Sequence, residues 1–296
     1  MQIDRFGGER RGIVLVMASA VVWSFGGAIA RFLAVSDGWT VVLLRSVWAG
    51  AFLLLFLLLR DGFRGTLVLF RNMGLPGIGV GICFSTCSTC FILALKYTTV
   101  ANILLIQAGT PLIAALIGRV LFREQVSRAT WTAIAAVILG VGVMVSGSIT
   151  GKVSPIGDAL ALVIALVLAG ATIITRRNAG VRMTPACVFG CLISIVVAAP
   201  LAGSLAVSPT DMGLLFAFGA LNLGLGMALF VTGVRLLPAP VAALIGTLEP
   251  VLGPIWVWLV HSELPSQRTL IGGAIVVTAL VAHILWQYVA QQSKPA

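Results

Sequence analysis

Along most of this chain apolar residues neither alternate nor return at amphipathic spacing; they run on without interruption. The stretches "AFLLLFLLL" (Ala51 to Leu59) and "IVLVMASAVVW" (Ile13 to Trp23) are apolar on every side. About 20 helical residues cross a hydrocarbon core of about 30 Å. The recurring runs predict ten such helices, over residues 12–34, 39–60, 73–95, 100–121, 130–148, 156–175, 184–203, 211–234, 240–260 and 269–289. Barrel strands are short and alternate polar with apolar positions, so the pattern predicts an all-α membrane protein.

Composition agrees with that reading. Only 9% of the residues are charged and 59% are hydrophobic, against about 25% charged in a soluble domain, and the mean hydropathy is +1.11. The net charge of +10 does not point to nucleic acid, because the basic residues are scattered over short loops. Topology accounts for them better. With a cytoplasmic N-terminus, Arg5, Arg10, Arg11, Arg60, Arg64, Arg71, Arg119, Arg123, Arg128, Arg176, Arg177, Arg182, Arg235 and Lys294 fall inside, and Arg31, Lys96, Lys152 and Arg268 fall outside. Fourteen against four satisfies the positive-inside rule with both termini cytoplasmic. The first apolar run is too long for the core of a cleaved signal peptide, so "ERRG" before it reads as a cytoplasmic anchor.

The chain also repeats itself. A constant shift of 139 residues lays Lys96 on Arg235, Pro111 on Pro250 and Glu124 on Glu263, and a shift of 145 lays Gly12 on Gly157 and Arg31 on Arg176. Residues 1–148 and 149–296 are therefore expected to be two five-helix repeats of one integrated domain. Five is odd, so the second repeat must enter the membrane from the opposite side. Inverted repeats are a common plan of secondary transporters, with the substrate site near the midplane where the halves meet. The longest cytoplasmic connection, from about Arg60 to Asn72, is too short to fold by itself, and no "GxxxxGK[ST]" phosphate loop is present, which excludes an ATP-driven pump of that kind.

Polar residues inside the spans are the candidates for chemistry. Glu249 lies near the middle of its span, where a carboxylate costs about 2.5–3.5 kcal/mol on insertion scales and so should face a cavity or a partner. Pro250 and Pro254 follow it, and Pro111 sits at the equivalent place in the first half, after Thr110. Each proline interrupts helical bonding and releases the carbonyl four residues earlier, so all three are expected to break their helices; Gln107 is the residue so released by Pro111. Arg45, buried in the second span, is expected either to reach Glu249 or to snorkel to the outer surface. Trp23 and Ser24 in the first span, Ser85 and Ser88 in the third, Asn102 and Gln107 in the fourth and Asn222 in the eighth complete the candidate cavity set.

The five cysteines lie in predicted spans, and Cys83, Cys87 and Cys90 share one helix face. They are read as packing residues rather than a metal site, because no histidine or carboxylate pair accompanies them. A membrane enzyme acting on lipid-linked substrates would need a nucleophile with a base, or a metal set, and neither is legible. A passive channel would need a continuous polar path. No metal or cofactor is expected; the expected partners are a small-molecule substrate and the lipid bilayer, with no nucleic acid, and the chain is expected to act as a monomer.

Taken together, the opening helix "MASAVVWSFGGAIAR", the segment "ANILLIQAGTPLIAALIGRVLFREQVS" and its copy "VAALIGTLEPVLGPIWVWLVHSELPS" resemble the EamA-like members of the drug/metabolite transporter superfamily, and among them the YddG-type exporters of aromatic amino acids. The resemblance spans nearly the whole chain. It implies a ten-helix basket around a central cavity, alternating access, and export of small metabolites across a bacterial inner membrane. Relatives handle amino acids, nucleotide sugars, organic cations and drugs, so the resemblance leaves the substrate open. Thr110 stands where the second half has Glu249, so any charge role rests on Glu249.

Overall fold

The computed structural model describes residues 2–123, 127–148, 154–178, 180–237, 242, 245–246 and 248–292, and among these the chain is helical throughout, without strands. The elements are Gln2–Ser24 (α1), Gly26–Phe32 (α2), Gly38–Asn72 (α3), Gly74–Ala94 (α4), Val100–Gln107 (α5), Thr110–Phe122 (α6), Arg128–Ser148 (α7), Pro155–Arg177 (α8), Thr184–Ala198 (α9) and Pro209–Phe216 (α10). A π-helical stretch, Ala217–Gly224, joins α10 to Leu225–Gly233 (α11); Leu248–His261 (α12) and Gln267–Gln292 (α13) follow.

Among the described residues, seven helical stretches are long and apolar enough to cross a membrane, α1 with α2 and α10 through α11 each counting as one, and the bent pair α5 and α6, taken as one span, makes an eighth. That is fewer than the ten expected from the sequence. The predicted span 184–203 stops at Ala198, two residues before Pro200, which cannot continue a helical ladder. The predicted span 240–260 is described as α12 only from Leu248, since most of its first part lies outside the described residues. The same holds for Glu124, one landmark of the repeat, and for most of the link 149–155.

Local chemistry sets the helix ends. Asp37 caps α3, its carboxylate accepting from the Trp39 and Thr40 amides; Thr99, Ser154 and Ser208 cap α5, α8 and α10 in the same way. The connection expected from Arg60 to Asn72 is instead helical. Gly62, at φ 70° and ψ 172°, puts a kink in α3, and the helix resumes to Asn72; only glycine takes that conformation without strain.

In a bilayer, helices gain little from hydrophobic association and pack closely through small residues. α7 and α13 lie along each other, crossing where a Cβ on Gly140 would meet the Gly272 carbonyl at 2.7 Å. α3 packs along α9 and the π-helical stretch, α4 along α8 and α9, α1 along α11 and α12, and α6 along α8. At the loops, Arg31 pairs with Glu263, Arg268 donates to the Ser146 carbonyl and Gly203 donates to Asp37. Elsewhere Arg182 grips Asp61 through both oxygens, at 2.8 and 3.1 Å. Each bond joins connections that the charge pattern assigns to the same side.

Candidate central cavity

Between these helices lies a cavity of ≈ 490 Å³, and every element except α7, α10 and α13 contributes to its wall. Most of the wall is apolar, with Phe84, Phe91, Phe218, Phe230 and Trp23 supplying the aromatic surface. Of the residues singled out in the sequence, Trp23, Arg45, Ser88, Gln107, Thr110, Asn222 and Glu249 line it.

Glu249 sits in the first described turn of α12 and faces the cavity, and its carboxylate has no hydrogen-bond or ion-pair partner among the described residues. Arg45 does neither of the things expected of it. It is 5% exposed, so it does not snorkel, and it is not paired with Glu249. Its guanidinium instead lies over the Phe218 ring, 4.1 Å from the centroid, with Phe91 at 5.9 Å, while Nη1 donates to Ser88 Oγ at 2.9 Å. A cation over an aromatic face is worth about 2 kcal/mol when desolvated, which offsets part of the cost of burial.

Two broken helices flank these charges. The first span breaks at Phe25, and the Asn222 side-chain amide donates to the carbonyls of Val22 and Trp23, whose helical donors would have been the amides of Gly26 and Gly27. In the fourth span the break falls at Ala108 and Gly109, with a 40° bend. Pro111 opens α6, as expected, but the carbonyl it releases on Gln107 is not left for a ligand: Thr110 Oγ1 donates to it at 2.6 Å. Pro250 lies in the first described turn of α12, and Pro254 lies inside that helix without ending it, so the expectation of a break at Pro254 is corrected.

Three candidates stand away from the wall. Ser24 donates to the Val21 carbonyl and accepts from Trp256 Nε1 at 2.9 Å, tying α1 to α12. Ser85 bonds Ser194 across α4 and α9 at 2.9 Å. Asn102 joins α5 to α8 and α13, donating to Asp158 at 2.7 Å and accepting from Thr269 at 2.8 Å. Conversely, Cys87, Cys187 and Cys191 line the cavity as free thiols, although cysteine in the sequence read only as packing. The phenylalanines were missed for the same reason: in a run apolar on all sides, no residue announces which way it faces.

The profile of the EamA-like transporter family matches residues 10–146 and, a second time, 155–285. The chain is 25% identical over 279 residues to the pseudopaline exporter CntI of Pseudomonas aeruginosa, in strain UCBPP-PA14 and again in strain PAO1, covering 92% of this chain and 95% of that one. A crystal structure, solved for a protein 18% identical, superposes with a TM-score of 0.67 over 94% of this chain and 98% of the other. That last likeness concerns the fold alone.

Proposed function

The chain belongs to the EamA-like transporter family, and from that premise we propose that it is a secondary transporter exporting small metabolites, aromatic or other amino acids foremost, across a bacterial inner membrane. In this reading, residues 1–148 and 149–296 form two inverted five-helix repeats, ten spans in all with both termini cytoplasmic, and the chain works as a monomer by alternating access. Two features support the repeats. The family profile matches the chain twice, and the packing pairs exchange with one another when the halves are swapped: α4 on α8 becomes α11 on α1, α6 on α8 becomes α12 on α1, and α7 on α13 and α3 on α9 map onto themselves.

The observation that carries the function is a cavity walled by both halves and by aromatic rings, with a Glu249 carboxylate that has no partner among the described residues. A buried charge without a partner is expensive, and a bound substrate or proton removes the expense. The polar, predicted outer ends of α2, α4 and α12 are bonded together through Arg31 and Glu263. The wall extends the other way, to Thr175 and Val234 near the predicted cytoplasmic ends of α8 and α11. Substrate therefore enters from the cytoplasmic end, and release requires the outer bonds to part.

One observation favours a second reading, export of drugs or organic cations: an apolar, aromatic wall with a lone carboxylate also suits a cation. Nothing comparable favours a passive channel or a membrane enzyme. Purified protein in proteoliposomes tests the proposal. Saturable uptake with counterflow is expected, and Glu249→Gln is expected to lower it about tenfold or more; E249Q running at the wild-type rate across pH 6 to 8 would remove Glu249 from the mechanism.

A further inference from the structure

Arg45 carries a charge that no acidic side chain among the described residues balances. It is 5% exposed, among the most enclosed polar residues of the cavity wall. Of its donors, Nη1 is committed to Ser88 Oγ, Nε is buried with no partner, and Nη2 has no hydrogen bond among the described residues. Its Cζ lies over the Phe218 ring, 4.1 Å from the centroid. What remains is the edge formed by Nε and Nη2, two parallel N–H groups without an acceptor.

That edge has a chemical complement. Planar, parallel N–H donors match the two oxygens of a carboxylate, giving a bidentate, charge-assisted pair. Removing one partner of such a pair in a buried site leaves an uncompensated charge, which is strongly unfavourable. The structure contains that unfavourable state with no carboxylate among the described residues relieving it, since Glu249, the acid on the same cavity wall, is not paired with Arg45. The Phe218 ring beneath Cζ and the bond from Nη1 to Ser88 hold the guanidinium in place, so the fork is pre-organised and a ligand loses little entropy in meeting it.

Resting on the transporter reading of this cavity, we propose that Arg45 is the anion receptor of the substrate site: it takes a carboxylate, or a similar planar oxyanion, through its Nε and Nη2 edge, and so restricts transport to substrates that carry one. Glu249 takes the substrate's cationic group, and Trp23, Phe230 and Phe84 cover its apolar part. The two charges, held apart and without a counter-charge among the described residues, select a molecule that brings both opposite charges with it. A simple organic cation satisfies Glu249 but adds a second positive charge to a wall that already holds Arg45. The bland role for Arg45, a bracket between α3, α4 and the π-helical stretch, accounts for Ser88 and Phe218 but not for the idle edge.

Three probes of one size separate the roles: L-phenylalanine with both charges, 3-phenylpropionate with the carboxylate alone, and phenethylamine with the amine alone. Ligand-induced rise in melting temperature of the purified full chain reports binding to the folded state. Wild type is expected to bind phenylalanine about tenfold to a hundredfold more tightly than phenethylamine. Arg45→Met, which keeps an unbranched side chain as far as the Nε position but removes the guanidinium, is expected to abolish that preference while leaving phenethylamine binding intact. Arg45→Lys, with the charge but without the fork, is expected to restore only part of it. Equal binding of phenylalanine and phenethylamine by wild type overturns the proposal, as does a preference that survives in R45M, or the absence of any shift with both carboxylate probes. If counterflow of organic cations is then found in proteoliposomes, the transporter reading stands and only the anion receptor falls; if no substrate of either class moves, both fall.

Discussion

Arg31 Nε lies 2.9 Å from Glu263 Oε2, an ion pair between the end of α2 in the first half and the turn after α12 in the second. The pair does more than join two side chains. Arg31 also donates to the carbonyls of Leu95 and Thr98, at 3.1 and 3.3 Å, and Glu263 Oε1 accepts from the Val100 amide. A ring nitrogen of His261 lies 3.0 Å from the Ala28 carbonyl, and Phe32 sits edge-on to that imidazole. Four chain segments meet there, on the predicted outer side of the cavity.

Weakening this latch should favour the outward-open state. The two side chains are 30% and 23% exposed, so solvent screens the pair and its contribution is about 1 kcal/mol. Glu263→Gln is expected to raise the open population about fivefold. In a variant whose sole cysteine is Cys87 on the cavity wall, a membrane-impermeant maleimide added from outside should react correspondingly faster. An unchanged rate would show that Arg31 and Glu263 do not gate the cavity.

Asn222 holds the broken first span. Asn222→Ala strands the Val22 and Trp23 carbonyls, a loss of about 1–3 kcal/mol, and the melting temperature in detergent should drop by several degrees. Transport lost at an unchanged melting temperature would assign the amide to substrate instead of to the helix break.

Gly226 permits the close approach of α11 to α1, because a Cβ there would overlap the Trp23 indole. Gly226→Ala must displace the ring toward the cavity or part the helices, at about 1–3 kcal/mol. A smaller cavity is expected to raise KM for bulky substrates more than for small ones, which a comparison of phenylalanine with alanine transport would read directly.

Acid stability should depend on Asp37. The Thr40 hydroxyl, the Gly203 amide and then the Thr40 and Trp39 amides hold its carboxyl well below the usual carboxylate range. Because the folded-state value is depressed, the stabilisation is complete above the unfolded value of about 3.9 and is lost as pH falls below it. Melting temperature measured from pH 5 down to pH 3 should fall more steeply for wild type than for Asp37→Asn; parallel curves would show that another group controls the acid limb.

The membrane helices were legible because an apolar run of this length has few other outcomes, and the break at Pro111 because proline cannot donate. What the sequence hides is rotation. Phe218 and Phe91 look like any other residue of an apolar helix, so the partner of Arg45 was sought among charges when it is a ring. The carbonyl that Pro111 releases on Gln107 is met within a turn by the Thr110 hydroxyl, a local bond that residue spacing does not announce. Asn222 was picked out as polar at mid-span, whereas its role at the Phe25 break depends on helices that only tertiary structure brings together, about 200 residues apart.

The π-helical stretch from Ala217 to Gly224 carries Phe218, Leu223 and Asn222 to the cavity wall. Such a stretch amounts to a surplus residue in an otherwise regular rod, and each residue turns a helix by about 100°. Excising a single position there would swing everything beyond it, Met227 and Phe230 included, away from its present heading. One codon more or less at that place is thus a way to retailor what the chamber accepts while the surrounding architecture stays as it is.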